Sequence, residues 1–142
     1  MIKGFACGVF DLYHPGHVLM LRECRNHCDH LTIAINKAVA FDERINPNKR
    51  QPFFDHDERK MILQSIRHVD EVLFYESEEE LTRIMTEGGF QVRFLGDDYR
   101  GRAITAAEAI PHIHYIDRSH GYSTSAVVER ISRRLRSQGS RE

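Results

Sequence analysis

The sequence has no basic surplus. Its 142 residues carry 20 Lys and Arg against 21 Asp and Glu, a formal net charge of −1. That balance argues against bulk nucleic-acid binding, which needs an excess of cations along a phosphate backbone, but it leaves room for a local basic pocket around one phosphorylated ligand. No apolar run approaches the length of a membrane span. The opening residues, Met1-Ile2-Lys3-Gly4-Phe5, lack the long apolar core and cleavage site of a signal peptide, so membrane insertion is not expected. Cysteine is scarce: Cys7, Cys24 and Cys28 form an odd set without framework spacing, which suits a reducing compartment, the cytoplasm. Internal repeats and low-complexity stretches are absent too. What remains is 41% hydrophobic and 29% charged, the composition of a folded globular chain. The length suits one domain with a core of its own, residues 1–136, followed by a polar tail, 137–142, that is expected to fray.

Strand-like runs alternate with helical patterns. Phe5 to Phe10 reads as a buried first strand, and His17 to Asn26 as a helix with Val18, Leu21 and Cys24 on its apolar stripe. Leu31 to Ile35 is a second strand. Residues 37–54 show no period and carry Asn46-Pro47-Asn48 and Pro52, which predicts a long loop; loops of that length in compact domains are usually functional or disordered. Asp55 and Glu58 have capping-box spacing before a helix from about His56 to Arg67, and Ser77 and Glu80 repeat it before a helix ending near Gly88-Gly89. Glu71–Tyr75, Val92–Leu95 and Ile113–Ile116 supply three more strands, and a last helix runs from about Ser123 to Arg136. Strand and helix in regular alternation predict an α/β fold, a Rossmann-like open parallel five-stranded sheet with helices on both faces. Ligands of such sheets sit beyond the carboxyl ends of the strands, near the switch point in strand order.

The segments that follow the strands carry the chemistry. After the first comes Gly8 to His17, which has neither the dinucleotide glycine fingerprint nor the Gly-Lys-Ser/Thr ending of a P-loop. Pro15 suits a tight turn, Gly16 lets backbone approach a ligand, and the helix that starts there aims free N–H groups at the same spot. His14 and His17 flank this turn and could donate to an anionic oxygen, although a capped turn with two surface histidines fits the spacing equally well. After the fourth strand, the carboxylates of Gly96-Asp97-Asp98-Tyr99 suit Mg²⁺ or ribose and base contacts, but on these residues alone a plain Asp-rich turn fits better. After the fifth, Arg118 precedes Gly121-Tyr122-Ser123-Thr124-Ser125, where hydroxyls and helix N–H groups can converge on an anion or simply cap the helix.

Taken together, these segments resemble the nucleotidyltransferases with a His-x-Gly-His signature. His14-Pro15-Gly16-His17 matches that signature, and Arg118-Ser119-His120-Gly121-Tyr122-Ser123-Thr124-Ser125 resembles the family's second one, Arg-Thr-x-Gly-Ile-Ser-Thr-Thr. Glu58-Arg59-Lys60, Ile66-Arg67-His68-Val69-Asp70-Glu71-Val72 and Gly96-Asp97-Asp98 are similar to segments of the cytidylyltransferase branch, with Tyr99 where Trp usually follows. The resemblance spans roughly residues 4 to 135. It implies transfer of CMP from CTP to a small phosphorylated alcohol, glycerol 3-phosphate-like, with release of pyrophosphate. It further implies catalytic roles for His14, His17, Lys49 and Arg118, with Lys49 and Arg50 closing the long loop over the triphosphate. Implied nucleotide contacts are Gly8, Phe10, Asp11, Gly16, Arg59, Arg67, Gly96, Asp97, Tyr99, Gly121, Ser123 and Thr124. Mg²⁺ is the implied cofactor, with Asp11 and Asp97 as its carboxylates, and a homodimer is the implied assembly. The segment after the second strand, Ile35 to Ala40, lacks the family's usual Ser-Thr-Asp or Asn-Asp, so the acceptor side is where this chain departs; there an anionic carbon skeleton could pair with Lys37.

Two alternatives stand beside this reading: an adenylyltransferase using ATP with a sugar phosphate or flavin mononucleotide, and a nucleotide-binding regulator without catalysis. Cys24, His27, Cys28 and His30 have ligand chemistry but poor facial alignment, so zinc is not expected. The basic end of the last helix, Arg130 to Arg136, fits complementation of the helix dipole better than binding to nucleic acid or lipid.

Overall fold

The computed structural model describes residues 1–37 and 51–139; Lys49 and Arg50, and with them most of the expected lid, lie outside the described residues. Five parallel strands form one sheet: β1 (Lys3–Gly8), β2 (His30–Asn36), β3 (Glu71–Tyr75), β4 (Val92–Gly96) and β5 (His112–Ile116), in the order β3-β2-β1-β4-β5. Strand order reverses between β1 and β4, and this is the switch point. Helices α1 (Pro15–Asn26), α2 (His56–Gln64), α3 (Glu78–Glu87) and α4 (Thr124–Gly139) complete the fold. No helix among the described residues is long and apolar enough to cross a membrane.

Two apolar clusters explain why the helices divide between the faces. Side chains alternate along each strand, so Ala6, Ile33, Ile35 and Phe94 meet Leu21 and Cys24 of α1 and Leu63 of α2. Phe5, Ala34 and Tyr75 point the other way and pack on Leu81 and Met85 of α3 and on Ile110. Gly4 keeps β1 thin where Phe94 crosses it, since a Cβ there would lie 2.6 Å from the Phe94 ring.

Three of the boundaries that differ from expectation are instructive. β1 stops at Gly8 rather than Phe10, because Phe10 and Leu12 both adopt left-handed backbone, with φ of 55° and 48°. α2 ends at Gln64, three residues early: the Ser65 hydroxyl donates to the Ile62 carbonyl at 2.6 Å and caps the helix there. α4 continues to Gly139, so the first residues expected to fray are helical.

Candidate active site

A cleft of about 450 Å³ opens at the carboxyl edge of β1 and β4, lined on one side by His14, His17, Arg118, His120, Ser123 and Thr124. The two imidazoles of the first turn are locked by the backbone. His14 is the N-cap of α1; its Nδ1 accepts the Gly16 N–H at 3.0 Å, while the His14 N–H donates to His17 Nδ1 at 3.2 Å. This is a capping box built from two histidines. With both Nδ1 atoms acting as acceptors, each neutral ring carries its proton on Nε2. Gly16 is required at this point, since a Cβ would come within 2.7 Å of the His14 ring and 3.0 Å of the Tyr122 Cβ.

Neutrality is enforced by the surroundings. The His17 ring lies against Phe10, Tyr13 and His14, with centroids at 5.7, 5.5 and 3.9 Å. Burial, and then the neighbouring His14 and Arg118, push its pKa down to about 4. Burial also lowers His14, helped by the positive ends of His120 and Arg118. At neutral pH both rings are therefore held neutral, each with its N–H on Nε2.

The opposite wall is the start of α4. Ser123 Oγ accepts the Ala126 N–H at 3.0 Å, as an N-cap should. The Thr124 hydroxyl lies 3.4 Å from both the Asp11 carbonyl and His14 Nε2, and so ties α4 to the imidazole turn. Gly121, at φ 79°, provides the left-handed step that turns the chain into the helix. Arg118 reaches across the end of β4: its Nη1 lies 3.3 Å from Asp98 Oδ1, and its backbone N–H donates to Asp97 Oδ2 at 3.3 Å. Gly96 makes that crossing possible, because a Cβ there would sit 2.4 Å from Asp98 Oδ1 and 2.7 Å from Arg118 Cδ. Gly8, Phe10 and Tyr99 also line the cleft.

Some residues expected at the nucleotide do other work. Arg59, 2% exposed, donates to the carbonyls of Val9, Asn36, Phe54 and Asp55. It braces the ends of β1 and β2 instead of facing phosphate, and burial lowers its pKa against the pull of Asp11 and Asp55. Arg67 is exposed in the turn that enters β3, at the opposite edge of the sheet, and does not reach the cleft. Asp11 is buried, and its carboxylate accepts the N–H groups of Phe53 and Phe54 at 2.7 and 3.0 Å. Asp11 therefore has both oxygens on backbone N–H groups, whereas Asp97 is exposed and uses one oxygen, on the Arg118 N–H, and among the described residues no three His, Cys, Asp or Glu side chains gather as ligands. The Asp11–Asp97 metal assignment does not fit this donor set. Lys37 pairs with Glu76 at 3.4 Å, above the Phe74 ring.

Three lining residues had not been singled out from the sequence. His120 and Tyr122 lie inside the second signature, between Arg118 and the hydroxyls; His120 Nδ1 accepts the Tyr122 N–H at 2.9 Å. Arg93 lines the far side of the cleft. A charged residue inside the apolar run Val92–Gly96 was the available signal.

A parallel sheet that collects two neutral imidazoles, an arginine and a helix N-terminus at its switch point defines a protein built to handle nucleotide phosphates. A profile of the cytidylyltransferase-like family matches residues 5–130, and the chain belongs to that family. It is 30% identical over 132 residues to glycerol-3-phosphate cytidylyltransferase of Bacillus subtilis (strain 168), covering 93% of this chain and 98% of that one. It is likewise 30% identical over 133 residues to the bifunctional protein HldE of Granulibacter bethesdensis, covering 91% of this chain but 27% of the relative, so it spans about a quarter of that longer protein. Among solved structures, the lipopolysaccharide core biosynthesis protein from Thermoplasma volcanium GSS1 shares the fold at a TM-score of 0.61 and 24% identity, over 80% of this chain and 94% of that one. The protein is a nucleotidyltransferase enzyme.

Proposed function

We propose that the enzyme transfers CMP from CTP to a small phosphorylated alcohol of glycerol 3-phosphate size. The observation that carries this reading is the His14–His17 pair, whose Nδ1 atoms are occupied by backbone, which leaves the Nε2–H groups, that of His14 beside the Thr124 hydroxyl, to serve an anion at the cleft. An oxygen of the acceptor's phosphate attacks the α-phosphorus in line. The bond from that phosphorus to the oxygen bridging to the β-phosphate breaks, and pyrophosphate leaves with the electron pair. Negative charge grows on the equatorial oxygens and on the leaving group, so positioning and electrostatics supply most of the catalysis. His14 and His17 donate to the α- and β-phosphate oxygens. The N-terminus of α4 and Arg118 hold the outer phosphates. Any divalent cation arrives with the triphosphate, as part of the substrate. The preference for cytidine is supported by the full-length similarity to a cytidylyltransferase.

Pyrophosphate release, measured with each of the four nucleoside triphosphates against a panel of phosphorylated alcohols, tests the reading. CTP with a three-carbon phosphate is expected to lead. Preferred turnover of ATP with a sugar phosphate would replace the reading with the adenylyl alternative.

A further inference from the structure

The cleft does not end at the histidines. It continues between β1 and β4 to the face covered by α3, where Cys7, Leu81, Arg93 and Thr105 line it. Arg93 is in register with Phe5, and register partners in a parallel pair share a face, so its side chain runs along the α3 side of the sheet. It is 5% exposed. Its Nη1 donates to the Thr105 carbonyl at 2.6 Å, and the Cys7 thiol lines the cleft beside it. Both neighbours are uncharged, since burial keeps Cys7 a thiol. Its Nε is buried without any partner. No ion pair to Arg93 exists among the described residues. Glu78, nearby and exposed, has its carboxylate on the Thr105 hydroxyl.

A guanidinium has five donors in a planar fork, and a buried cation is destabilising unless something answers its charge. Among the described residues that place is left open, on the wall of a ligand cleft. We propose that Arg93 anchors an anionic far end of the acceptor, which makes the acceptor a phosphorylated hydroxy acid: its phosphate toward the imidazole pair, its carboxylate on Arg93. This deepens the proposed function and rests on it for the reaction. A carboxylate fits better than a second phosphate. One planar fork matches two carboxylate oxygens, and the neighbouring Glu78 opposes a doubly charged group. The departure of the sequence after β2 agrees with this, because the acceptor is then held from β4.

Glycerol 3-phosphate and 3-phosphoglycerate form a matched pair that differs only by CH₂OH against COO⁻. Calorimetric titration of each into the wild-type protein, without nucleotide, is expected to give about tenfold or more tighter binding of 3-phosphoglycerate, the scale of one charge-assisted bidentate contact. Arg93→Met should abolish the difference, and Arg93→Lys should keep part of it. Equal or reversed affinities in the wild type would overturn the proposal whether or not the variants fold. So would a preference that survives in a folded Arg93→Met protein, checked by its melting transition. Pyrophosphate release separates the two readings. Tight 3-phosphoglycerate binding without release from any triphosphate upholds the anion site and overturns the reaction. Release with equal use of both acceptors upholds the reaction and overturns the site.

Discussion

At the scale of single residues, each imidazole of the first turn gives its Nδ1 to the backbone and carries its N–H on Nε2. On the proposed mechanism, removing either ring takes away a donor to the transition state. His14→Ala and His17→Ala should each lower kcat by about 10²-fold or more, equivalent to roughly 3 kcal/mol, in single-turnover assays on folded protein. The same arrangement predicts a pH effect. His17 takes up a proton near pH 6.5 in the unfolded chain but only near 4 in the folded one. The unfolded state therefore binds the proton first, and stability from this residue, complete above 6.5, is lost as the pH falls toward 4. Urea titrations from pH 7 to 4.5 should show a steeper loss in the wild type than in His17→Asn; parallel curves would mean that His17 is not held neutral. Sequence spacing placed His14, Gly16, His17, Ser123 and Thr124 in turns at strand ends, where they line the cleft, because turn chemistry and helix starts are local. It could not separate Arg59, which braces carbonyls, or Arg67, which lies at the far edge, from cations that face a ligand: what a long side chain meets is decided by distant segments.

At the scale of elements, the loop after β1 is held by partners far along the chain. Asp11 accepts two N–H groups from Phe53 and Phe54, and Arg59 collects the carbonyls around them. Asp11→Ala strands both donors and removes the anion beside Arg59. A loss of about 1–3 kcal/mol follows for a partly buried pair of this kind, readable as a shift in the urea midpoint, with unchanged stability as the contrary result. The start of α4 makes a different prediction. Arg118→Ala and Thr124→Ala should weaken CTP binding roughly tenfold to a hundredfold and CMP binding far less, because only the triphosphate extends to the outer positions. Arg118 should matter more, since the helix N–H groups and dipole survive loss of the Thr124 hydroxyl. Equal losses for both nucleotides in calorimetry would move this loop to the ribose or base. Capping signals at Asp55 and Ser77 placed α2 and α3 well from sequence. The end of α2 was not legible, because a periodic stripe continues through Ile66 while the Ser65 hydroxyl has already closed the last turn.

At the scale of the whole molecule, the order β3-β2-β1-β4-β5 makes β1 and β4 neighbours although they lie far apart in sequence. The alternation of strand and helix implied such a sheet, but the seam and what lines its second side depend on packing across faces, so Arg93 was passed over. That seam is narrow. β1 matches β2 from Lys3 through Gly8, yet matches β4 only at Gly4–Val92 and Phe5–Arg93. The molecule is thus two half-sheets held along a short zipper that unfastens toward the carboxyl edge, where the cleft begins. A ligand seated there spans the gap and acts as a removable cross-link between the halves. Occupancy should therefore slow amide exchange in β4 and β5 more than in β2 and β3, over and above the general stabilisation that any bound ligand confers by mass action.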